Sequence, residues 1–349
     1  MNPLFYQVET FSHPELGDIK GRVFRQDEAN DIVHFRSIPY ATIPGRFKPC
    51  ALLENIPSTF DHRPKGDFTE YGNACPSVHQ PDSAYGGPLP GQTPRTYDEQ
   101  TCLNLTISAP RSAVLAGQRN HGLPVMVYVH GGAFKEGAGH ISALHDTTHM
   151  VGLSATENRP VIIVNIGYRL NWFGFMNCRD LIDEHVESSD EAYPFNLGIH
   201  DQRTAFQWIH KHIGGFGGNA SNITAFGESA GSGSIAIHLA SDLPLFKRAI
   251  MMSGNFGIMR SATLASHDES YWALLDYLNM DFETREERLE ALRAVPASKL
   301  VEAINALPHV SFSPYLGPDN EMFTRGIPSY STQDSIISSC RDGNNNRPA

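Results

Sequence analysis

A β-branched and aromatic run, Asn222–Phe226, leads without a linker into Gly227-Glu228-Ser229-Ala230-Gly231, and Ala230–Ala240 then turns from small to apolar residues. This order constrains the chain more than any other feature. It reads as a short buried strand, an abrupt turn and a buried helix packed close behind it. The glycines on either side of Ser229 relieve the backbone where the turn is tightest. In a chain with 30 glycines about 0.2 matches to G-x-S-x-G arise by chance, so the flanking segments carry the weight. Such a turn lifts a serine hydroxyl to the end of a sheet. Serine alone is a weak nucleophile and needs a base, and a third group to orient that base.

A second glycine-rich segment, His130-Gly131-Gly132-Ala133-Phe134, follows the apolar run Val125–Val129. Small residues directly after a strand leave backbone N–H groups bare and allow close approach to a substrate oxygen. Fixed N–H donors are what a developing oxyanion requires. The amides of Gly132, Ala133 and Ala230 are therefore the expected donors, with Ser229 as the nucleophile and Glu228 beside it.

Continuous apolar runs at 125–129, 161–166, 223–226 and 248–252 read as core strands of a mostly parallel sheet. Phe206, Ile209 and Ile213 share one face of a helix between them, so the fold class is α/β, with helices flanking the sheet. Residues 19–38 and Leu103–Ile107 read as further strands, and 61–101, rich in Pro, Gly, Asp and Thr, as a surface excursion. Beyond Ser253, Tyr271, Leu274, Leu275 and Leu278 mark one helix, Thr284 to Val295 a charged amphipathic one, and Ser298 to Leu307 another. Residues 1–349 read as a single domain with cap helices, and 341–349 as a disordered polar tail.

Bulk properties exclude several function classes. At 40% hydrophobic and 19% charged, the chain reads as an ordinary globular protein. Its formal net charge of −11 disfavours nucleic acid and acidic membrane surfaces as partners. No apolar run is long enough for a transmembrane helix. The first residues lack the basic and apolar regions of a signal peptide, which makes a cytoplasmic location the default. The five cysteines, Cys50, Cys75, Cys102, Cys178 and Cys340, show no metal-ligand spacing, so neither a metal nor a cofactor is expected.

Taken in order, these motifs resemble the type-B carboxylesterase family, which includes the cholinesterases. Three more segments are similar to that family: Gly167–Phe175, Asn196–Arg203, and Phe216–Thr224 leading into the turn. Met252-Ser253-Gly254 resembles the family's Ser-Gly after the next core strand. The likeness extends from about Gly17 to about Ser339. It implies an α/β-hydrolase fold whose first strands are antiparallel. It also implies hydrolysis of small-molecule carboxylic esters through an acyl-enzyme on Ser229, and a disulfide between Cys75 and Cys102, although Thr101 stands where the family usually has an acidic residue. Such a disulfide, and the sequons at Asn104, Asn219 and Asn222, suit a secreted ancestry, whereas the N-terminal residues do not, so localisation stays open, as does the oligomeric state.

In the family, the triad acid and histidine lie far beyond the serine, the acid in a turn after a stretch similar to Phe312–Asp319. After Ser339 the pattern is lost, and neither residue can be placed in this chain. The C-terminal part of the fold is expected to be missing. The remaining candidates read as structural: His238 as a packed histidine behind the turn, His267 as solvated in a polar loop, His309 beside Pro308, His130 as a support of the glycine loop, and Asp201 with Arg203 as a buried ion pair. An active serine esterase and a catalytically inactive truncated or cholinesterase-like interaction protein are the two readings that remain.

Overall fold

The computed structural model describes residues 6–25, 31–78, 94–117, 122–141, 144–188, 195–241, 243–255 and 261–317, together with the backbone of 334–338. The segment 318–333, the tail 341–349 and Cys340 lie outside them. Among the described residues, beside two short two-stranded ladders, Ala41–Thr42 with Ala51–Leu52 and Thr59–Phe60 with Arg63–Pro64, nine strands form one sheet. In chain order they are β1 (Tyr6–His13), β2 (Gly17–Phe24), β3 (Ile32–Pro39), β4 (Asn104–Pro110), β5 (Leu123–Val129), β6 (Ile162–Ile166), β7 (Gly218–Glu228), β8 (Arg248–Met252) and β9 (Asp334–Ser338). Their spatial order is β1-β2-β3-β4-β6-β5-β7-β8-β9.

The sheet changes character at β6. β1 to β4 and the β4–β6 pair are antiparallel. From β6 through β5, β7 and β8 to β9 every pair is parallel. The sequence explains the change. β1 and β2 alternate buried and exposed positions along much of their length, as a sheet margin solvated on one face does. β6, Ile-Ile-Val-Asn-Ile, is buried at every position. The first strand lies earlier than the sequence reading placed it, because Tyr6–His13 pairs residue for residue with Gly17–Phe24 across a tight turn.

The helices between the parallel strands are α2 (Thr148–Thr156), α3 (Asn171–Phe175), α4 (Arg179–Ser188), α5 (Leu197–His212) and α6 (Ala230–Leu239), and a short α1 (Arg111–Ala116) follows β4. α5 buries Phe206 and Ile209, with Ile213 in the 3₁₀ turn Ile213–Phe216 that continues it. After the sheet come α7 (Leu264–Tyr277), α8 (Arg285–Ala294) and α9 (Ala297–Ala306). α8 begins on a reciprocal capping box between Thr284 and Glu287, and Pro296 stops it. It is tied to α4 by Arg288 to Asp180 and by a two-pronged pair between Arg293 and Glu184. His267, expected in a solvated loop, lies inside α7 and is 3% exposed.

One buried ion pair joins the segment after β6 to α5. Both oxygens of Asp201 accept from the Arg169 guanidinium, each at 2.7 Å, and Oδ2 also accepts from the Arg169 backbone N–H at 3.0 Å. The partner is thus Arg169, not Arg203 as the sequence reading paired it. Asp201 is 0% and Arg169 2% exposed. Removing one member leaves a buried charge alone, which costs about 3–5 kcal/mol. Arg169→Met should lower the unfolding free energy by that order in urea titrations followed by circular dichroism.

Burial also holds several histidines neutral. Desolvation brings His140, His145 and His267 down to about 4, and His130 and His200 to about 3. In the unfolded chain these rings titrate near 6.5. Between those values the unfolded state binds more protons, so stability is fully present above pH 6.5 and is lost as pH falls towards 4. Each ring contributes a slope of up to about 1.4 kcal/mol per pH unit. Urea midpoints should therefore be flat above about pH 7 and fall steeply below about pH 6.5.

Candidate active site

Ser229 stands between the end of β7 and the start of α6 with φ 54° and ψ −120°. A residue with a side chain rarely adopts this backbone, and only surrounding contacts can hold it there. The contacts are backbone. Ser229 N–H donates to Met252 O on β8 at 2.9 Å, and Gly233 N–H donates to Ser229 O at 2.9 Å. Ser232 Oγ donates to Gly254 O at 2.5 Å, tying the first turn of α6 to the loop after β8.

Glycines make this packing possible. A methyl group on Gly231 would lie 1.9 Å from Val129 O at the end of β5, and one on Gly254 would lie 2.4 Å from Ser229 O. A methyl on Gly227 would meet Gly231 C and Val129 O at 2.7 Å. The turn is thus wedged between β5 and the end of β8, with no room for Cβ atoms at these positions.

The glycine loop after β5 reaches the same point. A methyl on Gly131 would sit 2.8 Å from Glu228 O and 3.3 Å from Ser229 Cβ. Gly132, Ala133 and Phe134 all have positive φ, at 110°, 54° and 56°. This unusual backbone is anchored beyond the loop. Lys135 N–H and Glu136 N–H donate to Gly132 O, and Asn171 donates from its backbone to Phe134 O and from its side chain to Lys135 O. Phe134 is buried against Phe175. Among the described residues the N–H groups of Gly132 and Ala133 meet no protein acceptor, and that of Ala230 is the first of a helix. These are the amides the sequence singled out, and the fold brings their loop against Ser229.

Supporting groups surround the loop. His130 stacks on Tyr168 with ring centroids 4.3 Å apart, and the Tyr168 hydroxyl donates to His130 O at 2.7 Å. Burial lowers the His130 pKa to about 3, so it is a neutral spacer. Asn171 and Tyr168 were not singled out from sequence as supports. The signal available was an asparagine and an aromatic next to a glycine-rich turn. Glu228 is exposed at the mouth, and partial burial raises its carboxyl above the usual carboxylate range.

No base reaches Ser229 among the described residues. His238, buried near the end of α6, has its Nε2 2.8 Å from Gln202 Oε1, and burial pushes its pKa well down. His267 Nε2 meets Asn177 Nδ2 at 3.2 Å, and His309 is exposed in the turn after α9. Asp319, at the end of the stretch similar to the one that precedes the family acid, lies outside the described residues. Cys75 and Cys102, paired by the resemblance, are two buried thiols here, with Cys75 Sγ donating to Pro76 O at 3.8 Å and Cys102 Sγ to Glu99 O at 3.6 Å. Among the described residues no group of three metal-ligating side chains gathers.

The strain at Ser229 has a measurable correlate. Ser229→Gly should stabilise the chain by about 1 kcal/mol, because glycine adopts positive φ freely. Gly231→Ala should destabilise it by about 3 kcal/mol through the clash with Val129 O. Chemical denaturation of the two variants checks both signs.

Similarity to known proteins gives the family of the chain. Residues 7–337 match the model of the carboxylesterase family. The para-nitrobenzyl esterase of Bacillus subtilis is 34% identical over 301 residues, covering 84% of this chain and 52% of the esterase. Acetylcholinesterase of Electrophorus electricus is 32% identical over 246 residues, covering 68% of this chain and 34% of that enzyme. The chain thus spans about half the length, or less, of these relatives. Among solved structures, a PNB esterase superposes with a TM-score of 0.69 at 30% identity, over 97% of this chain and 64% of the other. The juvenile hormone esterase of Manduca sexta gives 0.70 at 27% identity, over 93% and 57%. The chain belongs to the carboxylesterase family.

Proposed function

We propose that this single-domain α/β-hydrolase chain carries the nucleophilic half of a serine carboxylic-ester hydrolase acting on small-molecule esters. In this reading Ser229 Oγ attacks the ester carbonyl carbon, and the hydroxyl proton passes to a base. The N–H groups of Gly132, Ala133 and Ala230 hold the oxyanion of the tetrahedral intermediate. Its collapse expels the alcohol, and water then releases the acid from the acyl-serine. Glu228, exposed beside the nucleophile, can order water there. The observation that carries the reading is the strained Ser229 backbone, held with the Gly131 loop against it. Backbone strain held in place by its surroundings clusters at active sites.

A catalytically silent chain is the second reading, favoured by one observation: no described histidine reaches Ser229. The two separate by covalent labelling. With no described base to activate Ser229, a fluorophosphonate should label this chain slowly, at Ser229 alone, and Ser229→Ala should remove the label. Hydrolysis of a p-nitrophenyl ester should fall to background in the same variant. Turnover unchanged in Ser229→Ala, or label on another residue, would sink the assignment of the nucleophile. Rapid labelling abolished by Ser229→Ala would show that a base is in place and dismiss the silent chain.

A further inference from the structure

At the end of the sheet far from Ser229, the turn between β1 and β2 is held by one imidazole. His13 Nδ1 accepts two backbone N–H bonds, from Glu15 at 3.2 Å and Leu16 at 3.1 Å. A nitrogen that accepts two donors carries no proton. The proton therefore sits on Nε2, which donates to His212 O at 2.9 Å, at the last residue of α5. The ring is 2% exposed, lies 4.8 Å from the Phe216 ring and covers Gly215, where a methyl would fall 2.1 Å from His13 Nε2. Each polar atom of this side chain is used, and the two bonds accepted by Nδ1 require the neutral Nε2–H tautomer.

We propose that His13 is an acid-sensitive latch that fastens the β1–β2 turn to the end of α5 and releases it when the ring is protonated. A proton on Nδ1 turns an acceptor into a donor facing two other donors. Both turn bonds are lost, and a cation is left in a buried site. The charged groups around the ring do not cancel this. From the turn, Glu15 directs its carboxylate to His212, with Oε2 2.5 Å from His212 Nδ1. From α5 come His212 itself and Lys211, and Lys211 pairs with Glu54. On β2, Asp18 lies opposite Ser12 in the ladder, one step from His13. Desolvation is the largest influence on His13 and lowers its pKa, although the bond to His212 O and the charge of Glu15 work the other way.

The sign follows. Because the folded ring titrates below 6.5, the latch is closed at and above that pH and opens only at lower pH. Release would free the 3₁₀ turn Ile213–Phe216 from the hairpin, and this turn leads directly into β7, whose other end carries Ser229.

The test is amide hydrogen exchange on the full chain between pH 8 and pH 5, corrected for intrinsic rates. Glu15 and Leu16 should lose protection by up to about tenfold per pH unit as pH falls from 6.5 towards the lowered pKa of the folded His13 ring, while core amides such as Val127 and Val164, which exchange only through global unfolding, remain far better protected. His13→Asn supplies a side-chain oxygen that can accept the same two N–H groups and cannot titrate, so its turn should stay protected throughout. In the wild-type chain, ring ¹⁵N shifts should report neutral Nε2–H at pH 7 and a charged ring where the turn opens. Turn and core amides losing protection together, a ring still neutral when the turn opens, or the same pH dependence in His13→Asn would each overturn the latch.

Discussion

The candidate site depends on a close approach of backbone to backbone. The end of β5 passes so near the turn after β7 that no Cβ fits at Gly231 or Gly227. This contact forces Ser229 into a positive-φ backbone and carries the Gly131 loop, the direct continuation of β5, to within van der Waals distance of the serine. Nucleophile and candidate oxyanion donors are therefore not two placements but one. They are set by the parallel register of β5 and β7, in which Val129 stands opposite Gly227.

That register in turn requires a sheet rigid enough to hold it. The parallel strands are almost wholly apolar where they face the core, and the segment after β6 is pinned to α5 by the Arg169–Asp201 pair. Apolar burial supplies the cohesion but is non-directional. The two-pronged ion pair and the stacked His130–Tyr168 rings supply direction. Arg169 and Tyr168 follow the end of β6 and His130 follows the end of β5, so both interactions act at the end of the sheet that carries the site.

Much of this was legible in the sequence. The apolar runs at 125–129, 161–166, 223–226 and 248–252 became four neighbouring strands, because a strand buried on both faces has no polar positions to obscure it. The charged amphipathic pattern from Thr284 to Val295 and the stop at Pro296 marked the limits of α8, since helix ends are local chemistry. Other features were not legible. β1 carries exposed Tyr6 and Val8 and many polar residues, so only its pairing with β2 reveals it. The partner of Asp201 is 32 residues away, and no spacing rule selects Arg169 over the nearby Arg203. His267 sits among polar neighbours in sequence, yet its helix turns it inward. At the site, Ser229 and its loop could be read because their motifs are short and contiguous. Tyr168 and Asn171 could not, because they act across space.

Asn104 shows what burial does to a sequence signal. It begins β4 with its side-chain amide donating to Asn73 O and Thr101 O, and it is 1% exposed. The tripeptide Asn104-Leu105-Thr106 is a sugar-acceptor pattern only on paper. A glycan on that nitrogen would displace both carbonyl partners from a site with no access to solvent, and a molecule so modified could not close this part of its fold. Folding and glycosylation at this position are mutually exclusive fates of the same nitrogen.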